Sequence, residues 1–100
     1  MLKLTYKDYV IYFSSSCLVE PFHLHVNSPI PKKEGAAKLW ISSDGRYKIA
    51  RLGKFSEDEL NRVYNKFIRN NLSAYITDWK NTNLEVIVFH EVFAEETSHF

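Results

Sequence analysis

Residues 55–79, FSEDELNRVYNKFIRNNLSAYITDW, carry apolar side chains at Leu60, Val63, Tyr64, Phe67, Ile68, Leu72, Tyr75, Ile76 and Trp79. No other stretch constrains the fold as strongly. At 3.6 residues per turn these positions form one stripe, so the segment is an amphipathic helix that must lay the stripe on an apolar surface. Its start is also written in the sequence. Ser56 is placed as N-cap, and Glu59 three positions on completes a capping box. Phe55 and Leu60 bracket the cap as a hydrophobic staple, and Glu57, Asp58 and Glu59 sit where the helix dipole favours negative charge. The Asn70–Asn71 pair is the weak point, where a kink or break is expected.

The remaining chain supplies the surface. LKLTY and YVIYF flank Lys7 and Asp8 and read as an N-terminal hairpin; SSSCLVEP is a connector. FHLHVN reads as a short strand and SPIPKKEG as a loop whose prolines forbid regular pairing. AAKLWIS, the SDG turn and RYKIARL then complete a second hairpin. Alternation puts Leu24 and Val26 on one face of their strand, and Ala37, Leu39 and Ile41 on one face of the next. NLEVIVFHEVF near the C-terminus is rich in β-branched residues and apolar on both alternations, so it predicts a strand buried on two sides or one that needs a partner, with a helix as the alternative. The expected fold is α+β: an antiparallel sheet of about four or five strands packed on one long helix. Residues 1–80 form the domain and 81–100 an acidic, strand-like extension that completes the sheet or pairs with a second copy.

Charge divides along the same boundary. Residues 1–80 hold 13 Lys or Arg against 8 Asp or Glu, whereas residues 81–100 hold four glutamates and no basic residue. A basic body with an acidic tail implies an anionic partner, or a tail that shields a basic face. Cys17 is the one cysteine, which excludes an internal disulfide and a zinc site built from cysteines. A lone thiol, an N-terminus without a signal-like apolar run and the lack of any membrane-spanning stretch give a cytoplasmic expectation, with no membrane association.

The chemistry-bearing residues converge on one side of the expected sheet. With Leu24 and Val26 inward, His23 and His25 point to the opposite face; Lys38 and Trp40 join them from the next strand, and Arg46 and Lys48 from the one after. Imidazoles, cations and an indole together suit phosphate contact with base stacking. The His-x-His pair can equally be two solvent-facing strand residues, proton-transfer or anion-contact groups, or metal ligands; Trp40 is either core or stacking platform. No metal and no cofactor is expected, because no third or fourth ligand is evident beside the pair.

PFHLHV, GAAKLW, GKFSEDELNRV, NN and the later tryptophan together resemble the bacterial family of small proteins known as domain of unknown function four-one-six-zero. The likeness covers roughly residues 8–80, with His23, His25, Val26, Lys38, Trp40, Gly53, Phe55, Ser56, Glu59, Leu60 and Trp79 on signature positions. Members are often encoded beside another small domain, a pair suspected to be a toxin–antitoxin module. The resemblance thus implies a toxin-like component acting on RNA, with an antitoxin-like protein as partner. The expected chemistry is metal-independent, with His23 or His25 as acid or base and Lys38 stabilising phosphoryl charge. Trp40, Arg46, Lys48, Arg51 and Lys54 would hold the nucleic acid. The alternative is a non-enzymatic module that binds protein or nucleic acid through the same face.

Overall fold

The computed structural model describes residues 2–29 and 35–91. Five short strands follow one another as an antiparallel meander in the order β1 (Lys3–Thr5), β2 (Val10–Tyr12), β3 (His23–Asn27), β4 (Ala37–Ile41) and β5 (Tyr47–Arg51). The C-terminal helical segment lies on one face, so the α+β architecture expected from the sequence is present. Among the described residues no helix is long and apolar enough to cross a membrane.

The helix begins where its cap is written: the Glu59 amide donates to Ser56 Oγ at 3.1 Å, opening α1 (Glu57–Val63). The Glu59 carboxylate accepts from the Tyr9 hydroxyl at 2.7 Å, tying the first turn of α1 to the β1–β2 hairpin. Beyond Val63 the helix widens into a π turn at Tyr64–Ile68 and tightens to a 3₁₀ turn at Arg69–Asn71 before α2 (Leu72–Thr82). The Asn pair does mark an irregularity, but the departure starts six residues earlier, at Tyr64. Asn65, Asn70 and Asn71 each donate a side-chain N–H to the carbonyl four residues back, a local bond that competes with the regular helical ladder.

The apolar stripe is buried as its spacing requires. Leu60, Val63, Tyr64, Ile68, Tyr75 and Trp79 pack on Ile11, Leu24, Val26, Ala37, Leu39 and Ile41 of the sheet. Trp79 sits between Phe13 and Phe22, with ring centroids 4.8 and 5.1 Å away, and the Tyr75 hydroxyl donates to the Ile11 carbonyl at 2.8 Å. Gly53, with φ of +60°, leads the chain from β5 into the helix past Gly35; a Cβ at Gly53 would lie 2.0 Å from the Gly35 carbonyl oxygen. That approach admits only glycine.

After α2, Leu84 and Glu85 take left-handed backbone angles and reverse the chain. The tail returns to the start of β3, where the Phe22 amide donates to the Val88 carbonyl at 2.7 Å and Phe22 and Phe89 form a parallel bridge. Among the described residues this one bridge stands where the sequence pattern predicts a full strand; residues 92–100 of the expected extension, and 30–34 of the proline loop, lie outside the described residues.

Candidate functional site

The sheet face away from the helix carries the residues singled out above, and strand register sets their neighbours. His25 lies opposite both Tyr12 on β2 and Lys38 on β4, while His23 lies opposite Trp40. On β5, Lys48 lies opposite Trp40 and Arg51 opposite Lys38. The last pairing depends on a bulge: the register passes from Leu39↔Ile49 to Lys38↔Arg51, so Ala50 is skipped and Arg51 comes to the Lys38 side. His23, His25, Lys38, Trp40, Lys48 and Arg51 therefore share one face. Arg46 and Lys54 do not join them. Arg46 lies in the β4–β5 turn with its Nε 2.7 Å from Asp44, and Lys54 lies in the loop before the helix, over the Phe55 ring.

One end of this face is covered, which alters what the histidines can do. His23 is only 1% exposed, and its ring meets His25, Trp40 and Trp79 with centroids 5.1, 5.2 and 5.8 Å away. Of the readings open for the pair, two solvent-facing strand residues does not fit: His25 is half-buried and His23 is enclosed. Ser15–Val19 forms a 3₁₀ turn that delivers the Cys17 sulfur to the His-x-His strand, with Sγ 3.4 Å from His25 Nε2. Donor atoms of Cys17, His23 and His25 all lie within 4.8 Å of one another. The expectation of no third donor beside the pair is corrected too, since Cys17 supplies one.

Each member is held in place. The Cys17 amide donates to the Ser14 carbonyl at 2.9 Å and the Glu20 amide to the Cys17 carbonyl at 3.0 Å, so both ends of the turn are fixed. The Ser14 amide lies 3.5 Å from the sulfur. His23 Nδ1 is 2.8 Å from the Pro21 carbonyl, which can only accept; Nδ1 therefore carries the proton and Nε2 is left as the ring's acceptor. His25 Nδ1 is buried and lacks a partner among the described residues. Burial pushes the Cys17 thiol up, but hydrogen bonding with His23, His25 and Ser14 outweighs it and brings the thiol down to about 5. That direction favours the thiolate form of the sulfur.

The open end of the face is basic and aromatic. Lys38 Nζ sits 4.2 Å from the Trp40 ring centroid and 2.7 Å from Glu20 Oε1, and that hydrogen bond holds the Glu20 carboxyl below the usual carboxylate range. The His90 ring from the tail stacks on Trp40, with centroids 5.0 Å apart and planes 29° from parallel. Trp40 is thus neither buried core nor bare platform. Cys17, Glu20 and His90 were not predicted as site residues; the signal for Cys17 was its place six and eight residues before the histidines, within a short connector ending in Pro21.

Fold and site together define a small α+β domain with a thiolate–imidazole cluster beside a basic, indole-bearing strip. No protein-family model, no curated protein and no solved structure matches the chain.

Proposed function

We propose that this domain binds single-stranded RNA along the strip formed by Lys38, Trp40, Lys48 and Arg51, and that it does so as the toxin-like component of a two-gene toxin–antitoxin module. The observation that carries the reading is the register: Lys38↔Arg51 and Trp40↔Lys48 set cations on both sides of an indole on one sheet face. Cationic grooves lined with aromatic rings hold single strands by pairing phosphates with charge and bases with π-faces. His90 lies on Trp40 where a base would stack, so a base engaging the indole there displaces that ring.

The geometry favours binding over general acid–base cleavage. A proton-transfer group must come within hydrogen-bond reach of the reacting oxygen. His23 is enclosed, and His25 has Nε2 on Cys17 and Nδ1 buried, so neither ring is offered to a phosphate on the open strip. Lys38, Lys48 and Arg51 take the positioning role, and the two-gene context rests on the family resemblance.

Inducible expression, alone and with the adjacent gene, tests this reading. Growth arrest relieved by the neighbour, and lost in a Lys48→Ala/Arg51→Ala double variant that still folds, is the expected result. Normal growth on strong expression, or full arrest by the double variant, contradicts it.

A further inference from the structure

The cluster at the covered end of the face is built from groups that the RNA-binding strip does not use. We infer that Cys17, His23 and His25 form a binding site for a divalent transition metal of the zinc class, with its fourth position left to water or an outside ligand. This goes beyond the RNA reading and rests on different atoms.

Distance is the first argument. A tetrahedral zinc centre with Zn–S of about 2.3 Å and Zn–N of about 2.0–2.1 Å places sulfur and nitrogen roughly 3.6 Å apart. Cys17 Sγ and His25 Nε2 are 3.4 Å apart, and all three donors fall within 4.8 Å of one another. Closing on an ion thus requires sub-ångström shifts for that pair and a modest approach by His23.

Donor chemistry is the second. One thiolate and two imidazoles suit Zn²⁺, Co²⁺ or Ni²⁺; Mg²⁺ and Ca²⁺ prefer oxygen. Three protein donors is also the number in zinc sites that keep a position open. Among the described residues no further His, Cys, Asp or Glu joins the cluster.

Preorganisation is the third. A ligating histidine usually gives its other N–H to a carbonyl or carboxylate, which fixes the ring. His23 does this through Nδ1 to Pro21, 2.8 Å away. The Ser14 amide at 3.5 Å from Sγ supplies the contact a bound thiolate accepts, and the fixed 3₁₀ turn holds the sulfur in place. Trp40 and Trp79 flank His23 and restrict its ring.

The test is a Co²⁺ titration of the full chain after dialysis against chelator, followed by displacement with Zn²⁺. One equivalent should bind with a sulfur-to-cobalt charge-transfer band and tetrahedral visible bands, all abolished by zinc. Cys17→Ser should remove the charge-transfer band, and His25→Ala should weaken binding on the order of 100-fold, at or beyond the usual penalty for losing a supporting group of a metal site. Because Cys17 is buried and its replacement by serine can disturb folding, alkylation of Cys17 in the unaltered protein is followed as well; one equivalent of Zn²⁺ should suppress it. Lys48→Ala should leave the cobalt spectrum unchanged, so that failure of the RNA reading is separable from failure of this one. No saturable binding by the folded chain, binding without a thiolate band, binding unaffected by Cys17→Ser, or alkylation indifferent to zinc would each overturn the inference and leave a thiolate–imidazole pair.

Discussion

Truncating His23 to alanine, with chelator present so that metal takes no part, should reveal whether this ring belongs to the core or to a binding surface. The ring is 1% exposed and fills the space between His25, Trp40 and Trp79. Its removal forfeits the burial of a side chain of this size, worth about 2 kcal/mol, and leaves a void that rigid neighbours close only in part. It also leaves the Pro21 carbonyl without its donor, at roughly 1 kcal/mol. The expected cost is therefore about 3 kcal/mol, a large share of the roughly 5–15 kcal/mol that holds a domain of this size. At about 4–8 °C per kcal/mol for a small domain, the melting temperature should fall by roughly 12–24 °C. Urea and thermal unfolding followed by circular dichroism measure both quantities. His25→Ala, at a half-buried position, should cost less than half as much. A His23→Ala protein within about 0.5 kcal/mol of the parent, the range of surface substitutions, would refute the reasoning and return His23 to the solvent.

Two further outcomes concern the fold. Ser56→Ala removes the oxygen that caps α1 and should cost about 1 kcal/mol in urea unfolding, with no effect on RNA binding beyond that loss. In alkali, burial pushes the Tyr64 phenol up to about 12 and raises Tyr75 as well, while an unfolded phenol ionises near 10. The stability these neutral phenols contribute is present in full below pH 10 and lost as pH rises through the Tyr64 value. Phenolate absorbance should therefore show some of the six tyrosines ionising only in step with loss of near-ultraviolet dichroism. All six titrating together near 10 with the fold intact would contradict their burial.

Much of the fold could be read directly because its signals are local. The helix start at Ser56 follows from a cap and a staple, and the faces of β3 and β4 from strict alternation around Leu24 and Leu39. The π turn at Tyr64 was not legible, because the pattern of apolar residues through it reads as a regular helix. Lys38 and Trp40 came out on the predicted face, yet alternation assigns a face and says nothing of what lies above it. Enclosure of His23 depends on Cys17 folding back from the preceding turn and on Trp79 of α2 meeting its ring, both contacts of tertiary origin. The bulge that swings Arg51 beside Lys38 is likewise a register event with no glycine or other marker in YKIARL.

The account turns most directly on whether the strip opposite the helix holds a phosphate chain. The measurement is the affinity of the full chain for a labelled single-stranded RNA oligonucleotide across a salt series, by fluorescence anisotropy. With Lys38, Lys48 and Arg51 each engaging one phosphate, log K should fall against log salt with a slope of about −2, at roughly −0.7 per contact for single strands. Lys48→Ala should reduce that slope by about 0.7 and weaken binding by a similar amount for every sequence. Absence of binding at low salt, or a slope that Lys48→Ala and Arg51→Ala leave unchanged, would contradict the claim.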